Sequence, residues 1–235
     1  MQGAQNSGLN APLRTPESMQ YSARPFFDQA AVNTDVARCA REMIAAGELF
    51  HRRGWVPATG GNFSARLSPE QMLVTASGWH KGELTGDAFL VVGLDGRPVD
   101  TTRKASDETL LHCQLYRFDP AIGAALHTHS VPNTVLSRRL ENVCLAGYEL
   151  LKILPGISTH EVAVDVPVFE NDQDIARLAS RVDAHMKKKP APAYLIAGHG
   201  LYAWGSTVAQ ARHRVEALEF MFACELENLK LEKQS

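Results

Sequence analysis

Two histidines stand one residue apart, His127 and His129, at the end of the apolar run AALHTH. In an extended strand residues i and i+2 share a face, so both imidazoles can point at one object, and a divalent metal ion is the natural one. A third histidine, His199, closes the apolar run YLIAGHG between Gly198 and Gly200. The flanking glycines let the backbone turn where other residues resist, leaving an imidazole at the mouth of a buried strand. Three neutral imidazoles with an open position describe a catalytic zinc site, whereas closed structural sites use four protein ligands, often thiolates. A hydrogen-bonded core histidine is the plain alternative for each.

Two further stretches have the equipment of an anion site. ATGGNFSAR, residues 58 to 66, and TASGWHKG, residues 75 to 82, offer hydroxyls, small side chains and open backbone N–H groups. Gly61, Asn62, Ser77 and Gly78 fall within them, and Lys81 adds a cation that could pair with phosphate. Read as ordinary turns, the same stretches would leave His80 and Lys81 facing solvent. Two carboxylates complete the candidates. Glu108 lies in the first turn of a helix expected to start at Ser106, and Glu149 lies in AGYELLKIL between apolar residues. Apolar neighbours raise a carboxyl pKa and suit it to proton transfer. A solvated first-turn residue and a surface position are the bland readings.

The elements that must hold these residues follow from periodicity. Thr34 to Arg53 has helical spacing at Val36, Ala40, Met43, Ile44 and Leu49/Phe50, with Gly54 as terminator. QMLVTASG and AFLVVGLDG read as short strands, residues 106 to 117 as a helix ended by Asp119-Pro120, and AIGAALHTH as a strand. Helix is expected over 131 to 140, around 146 to 153, over 172 to 187 and from Thr207 to about Lys233, and strand over 161 to 168 and in PAYLIAGHG. Strands and helices alternate without the rhythm of a parallel sheet. A three-layer α/β/α single domain with a central mixed, largely antiparallel sheet is expected over residues 31 to 235, behind a flexible arm over 1 to 30.

Composition narrows the partners. The chain has 235 residues, 45% hydrophobic and 21% charged, with net charge −2, which gives no general attraction to nucleic acid or anionic lipid. No run is long and apolar enough to span a bilayer. Cys39, Cys113, Cys144 and Cys224 are widely spaced, with no C-x-x-C pair, and the start lacks the apolar core of a secretory signal, so a cytoplasmic protein is expected.

In this order, T-G-G-N at 59 to 62, T-A-S-G at 75 to 78, A-S-D-E at 105 to 108, H-T-H at 127 to 129 and G-H-G at 198 to 200 resemble the class II aldolase/adducin superfamily. The likeness runs from about residue 36 to 229. It implies a class II aldolase-like fold, one zinc ion per subunit on His127, His129 and His199, and a substrate phosphate near Gly61, Asn62, Ser77, Gly78, Lys81 and Ser106. Glu108 matches the acid/base glutamate of the aldolases, and Glu149 the proton-transfer glutamate of the family's dehydratases. The resemblance favours Glu149 as the main acid/base and gives Glu108 a supporting part. It further implies a small phosphorylated ketose as substrate, a homotetramer, and lyase chemistry by dehydration, with aldol cleavage, 4-epimerisation or a non-catalytic adducin-like module as alternatives. Asp107 stands where relatives often carry Ser or Ala, which adds negative charge beside the expected phosphate site.

Overall fold

The computed structural model describes residues 29 to 99 and 101 to 232. All but the last two residues of the expected N-terminal arm lie outside the described residues. Helix α1 (Gln29–Arg52) buries Cys39, Met43, Ala46 and Phe50, the i, i+4, i+3, i+4 stripe of a helix that packs one face. Its end is a Schellman turn: Trp55 N donates to Phe50 O at 2.9 Å and Gly54 N to His51 O at 2.9 Å. The apolar contact that accompanies this motif is present, with the Phe50 and Trp55 rings 5.7 Å apart.

An eight-stranded sheet forms the middle layer, in the order β3-β2-β1-β4-β8-β7-β6-β5. Its strands are β1 (Asn62–Arg66), β2 (Gln71–Thr75), β3 (Phe89–Gly93), β4 (Ala124–Thr128), β5 (Asn142–Ala146), β6 (Ala163–Phe169), β7 (Ala193–Ile196) and β8 (Gly200–Gly205). Only β6 and β7 run parallel; every other neighbouring pair is antiparallel, as the irregular alternation of elements predicted. The remaining helices are α2 (Thr109–Phe118), α3 (Val131–Ser137), α4 (Ile175–Lys188) and α5 (Val208–Glu232).

Period-two alternation sorts the sheet into two cores. Leu73, Leu126, Leu195, Leu201 and Ala203 pack with α1, α3 and α5, while Met72, Val74, Ala125, Tyr194, Tyr202 and Trp204 pack with Leu111 and Leu115 of α2 and Leu178, Val182 and Met186 of α4. The result is a three-layer domain of the expected class.

Several local readings differ from the structure. NFSAR and GLYAWG are strands β1 and β8, masked in the sequence by their glycine-rich flanks. Residues 142 to 146 form edge strand β5 with alternating exposure, and only Glu149–Ile153 is helical, as one 3-10 turn. Helix α2 begins at Thr109 rather than at Ser106; Ala105 still bridges to Ala76, and Ser106 N donates to Thr75 O at 3.3 Å. Among the described residues no helix is long and apolar enough to cross a membrane.

Candidate metal centre and its surroundings

The register of the sheet builds the site. Asn62 of β1 pairs laterally with His127 of β4, and His127 with Tyr202 of β8, so the three side chains form a row on the α2/α4 face. Tyr202 lies flat on His127, ring centroids 4.0 Å apart at 15°, and Tyr194 of β7 stacks on Tyr202 at 4.9 Å. His129 follows β4 by one residue, and its N–H donates to Trp55 O at 2.7 Å, so the cap of α1 holds the second histidine. His199 sits in the turn between β7 and β8. That turn closes only with glycine at 200, where a Cβ would lie 2.0 Å from Thr128 O and 2.9 Å from His127 Cε1.

The three imidazoles meet: their ligand atoms lie within 4.8 Å of one another. His129 Nε2 is 2.8 Å and His199 Nε2 3.4 Å from His127 Nε2. His127 Nδ1 donates to Leu201 O at 2.8 Å, which fixes the tautomer and turns the Nε2 lone pair toward the cluster. Burial holds His127 well below the usual imidazole range, with His129 and His199 adding to the effect against Glu108, so it is neutral at pH 7. His129 is pushed down to about 4, again chiefly by burial, then by His199. Neutral, converging nitrogens on a rigid strand end are what a divalent cation needs. The donor set fits zinc.

Glu108, at the N-cap of α2, faces this cluster. Its Oε1 is 2.9 Å from His199 Nε2 and its Oε2 3.3 Å from His127 Nε2. Asn62 Nδ2 and the Tyr202 hydroxyl donate to Oε2 at 2.6 and 2.7 Å. Burial opposes its charge, but the facing His127 and His199 rings and the Tyr202 hydroxyl hold the carboxyl well below the usual range. Glu108 is therefore an ionised carboxylate against the histidine cluster rather than a solvated first-turn residue.

Behind it runs a chain of hydrogen bonds that the sequence reading missed. Because Asn62 Nδ2 serves Glu108, its Oδ1 accepts from His112 Nε2. His112 Nδ1 then accepts from Ser64 Oγ at 2.7 Å, and Ser64 Oγ accepts from Tyr116 at 2.8 Å. His112 lies one helical turn after Glu108, an i, i+4 spacing that places both on one face of α2. That spacing was the available signal.

Glu149 is placed differently. Its side chain is 68% exposed, and its carboxylate pairs with Lys152 at 2.5 Å and His160 at 3.3 Å. Lys152 is the main cause that lowers its pKa, the reverse of the rise expected from its apolar neighbours in sequence.

The candidate anion loops come together. Ala76 and Ala105 form a bridge, with Ser77 N donating to Lys104 O at 3.1 Å, so Ser77, Gly78 and Ser106 share one corner. Ser106 Oγ accepts from Glu108 N at 3.4 Å. Lys81 is 2% exposed, not solvent-facing; its ammonium donates to Thr59 O at 2.8 Å and Trp79 O at 2.6 Å and thereby ties the two loops together. Burial lowers it to about 8, against the pull of Glu108. Gly61 has φ +78°, and a Cβ there would meet His127 O at 2.6 Å. Asp107 is exposed and paired with Lys104 at 2.5 Å, so its charge is compensated on the outer side of the turn. The four cysteines are free thiols.

A sheet whose strand ends gather a histidine triad, with an ionised glutamate and two small-residue loops beside it, defines the class. The chain belongs to the class II aldolase and adducin N-terminal domain family, whose model matches residues 41 to 226. Within it the chain is a homologue of the methylthioribulose-1-phosphate dehydratases. It is 50% identical to that of Pseudomonas aeruginosa over 205 residues, 86% of this chain and 100% of the relative. It is 51% identical to that of Azotobacter vinelandii over 193 residues, 81% and 94% of the two chains. Among solved structures, L-fuculose-1-phosphate aldolase from Thermus thermophilus superposes with TM-score 0.69 at 26% identity, covering 85% of this chain and 99% of that one.

Proposed function

We propose that this chain is a zinc-dependent hydro-lyase. It converts 5-methylthioribulose 1-phosphate into 2,3-diketo-5-methylthiopentyl 1-phosphate and water, a step of methionine salvage. The observation that carries the reading is the convergence of His127, His129 and His199 beside an ionised Glu108, in a chain homologous over 205 residues to dehydratases of that name.

When bound, zinc supplies Lewis-acid polarisation of the ketose carbonyl at carbon 2 and makes the carbon 3 proton more acidic. The chain's own groups divide the remaining work. His127, His129 and His199 hold the ion, and the Leu201 carbonyl keeps the His127 ring in place. Backbone N–H groups of Gly61 and Gly78 and the hydroxyls of Ser77 and Ser106 receive the substrate phosphate, with Lys81 giving positive charge from below. Asn62, engaged with Glu108 and His112, orders that carboxylate and reaches the phosphate only by giving up one of these bonds.

Glu149 takes the carbon 3 proton and returns one to the departing carbon 4 hydroxyl, so that water leaves and the enol becomes the diketone. Glu108 orients the ligand rings and the substrate hydroxyl nearest them. Glu149 makes no contact with the triad in one subunit, so its part depends on assembly. We take the working form to be a homotetramer with the exposed Glu149 turn at a border between copies. Val131, Ile153 and Phe220, 69, 41 and 54% exposed, supply apolar surface for that border. The four free thiols suit a cytoplasmic setting.

The test is to incubate the purified protein with 5-methylthioribulose 1-phosphate and follow diketone formation, with and without chelator, beside fuculose 1-phosphate and ribulose 5-phosphate. Diketone formation lost with chelator supports the reading, and aldehyde release without diketone overturns it in favour of an aldolase. Glu149→Gln and Glu108→Gln, assayed separately, rank the two carboxylates: full turnover in Glu149→Gln removes it from the proton transfer.

A further inference from the structure

The HTH segment presents two faces. His127 and His129 point toward α2, and the residue between them, Thr128, points the other way, onto α5. There it meets Glu219, a carboxyl 2% exposed in the core between the sheet and α5. Thr128 Oγ1 donates to Glu219 Oε1, Ser130 Oγ donates to Glu219 Oε2, and Asn133 Nδ2 donates to Oε1 at 2.9 Å. No Lys, Arg or His pairs with this carboxyl among the described residues; its three partners all come from the segment 128 to 133. Ser130 in turn caps α3, accepting from Asn133 N at 3.1 Å.

A buried carboxyl without a cation is costly, and a leucine would fill the same volume at lower cost. What the carboxyl adds is directional: two oxygens spaced to hold the residues immediately before and after His129. The opposite side of His129 is held by Trp55 O through its backbone N–H. His129 is thus clamped from α1 and from α5, whereas His127 is held by the sheet itself.

We propose that Glu219 is a positioning residue for the metal centre, setting the approach of His129 to the ion by anchoring Thr128 and Ser130 to α5. The proposal rests on the reading of His127, His129 and His199 as metal ligands. Groups that orient ligands in this way, when removed, lower metal affinity by about ten- to a hundredfold. Burial pushes Glu219 up to about 7 in spite of its three donors, so the carboxyl is present in both forms near neutral pH, and either form has an oxygen for Thr128 and Asn133.

The experiment compares full-length wild type, Glu219→Leu and Glu219→Gln after metal stripping. Zinc affinity is measured by competition with a chromophoric chelator, and the visible spectrum is recorded after loading with Co²⁺. In Glu219→Gln the amide oxygen keeps Thr128 and Asn133, and the NH₂ donates to Ser130 Oγ. It should bind zinc within about threefold of wild type and keep its cobalt spectrum. Glu219→Leu should lose about tenfold or more in affinity and show altered cobalt bands, while circular dichroism of the metal-free protein stays folded. Wild-type affinity and spectrum in Glu219→Leu overturn the proposal. Failure of the wild type itself to bind zinc or cobalt overturns the metal-site reading instead. Should Glu219→Leu not fold, Thr128→Val takes its place. It removes one donor at nearly constant volume and should change the cobalt bands; an unchanged spectrum and affinity there overturn the proposal equally.

Discussion

Acid should destabilise the metal-free protein, and one buried side chain outside the histidine triad contributes a share that can be isolated. His112 is fully buried, and its pKa is lowered to about 4, chiefly by burial, with Glu108 opposing. Its neutral tautomer is fixed from both sides, by Asn62 Oδ1 and by the Ser64 hydroxyl. In the unfolded chain the imidazole protonates below about 6.5, so between that pH and about 4 the unfolded state holds a proton that the native state does not. Stability therefore rises with pH across this window and is lost as pH falls through it. From about pH 7.5 to about pH 5 the linkage amounts to roughly 2 kcal/mol for this one group. The assay is urea unfolding of stripped protein at these two pH values and one fixed protein concentration, for wild type and His112→Gln. Gln cannot titrate, so the loss on acidification should be smaller in the variant by about that amount, whatever its absolute stability. His127 and His129 keep their own acid sensitivity in both proteins and cancel. Equal acid losses in the two, within about 0.5 kcal/mol, would refute the assignment of His112 as a buried neutral base.

Other outcomes follow from the same geometry. Chelation should abolish diketone formation and zinc restore it, with the metal-free protein still folded because Asn62 and Tyr202 continue to satisfy Glu108; circular dichroism before and after chelation checks this. Gly200→Ala should destabilise by about 2 kcal/mol or more and weaken zinc binding, since its Cβ would meet Thr128 O at 2.0 Å; denaturant midpoints and chelator competition measure both. The KM for the phosphorylated substrate should rise as pH climbs through about 8, where Lys81 loses its proton, with kcat less affected; a pH-independent KM to pH 9.5 or so would remove Lys81 from phosphate binding.

The histidine cluster was legible because period-two spacing and a glycine-flanked histidine are local signals, and the ordered motifs pointed to the layered fold. What escaped the sequence was lateral. That Asn62, His127 and Tyr202 stand in one row depends on register between strands drawn from three regions of the chain. Asn62 reads as a phosphate-loop residue in TGGN, yet its amide bridges Glu108 and His112. Glu219 reads as an ordinary acidic residue of an amphipathic helix, because nothing local tells that its partners lie some ninety positions earlier. The stretch around 146 to 153 reads as helix; the chain instead ends edge strand β5 at Ala146 and makes a single turn over Glu149–Ile153, which buries Leu145 and Leu151 without a full helix.

The row across β1, β4 and β8 also determines where chain length can vary. One residue inserted between Ala124 and His127, or between Gly200 and Tyr202, would turn the downstream side chains to the opposite face and exchange imidazoles for their neighbours. Two inserted residues would restore the face but carry each ring about 7 Å along the strand, out of reach of its companions. Connectors such as residues 155 to 162 and 170 to 174 carry no such burden. Natural length differences within the family should therefore gather in these outer connectors, leaving the spacing inside β4 and β8 constant even where amino-acid identities drift.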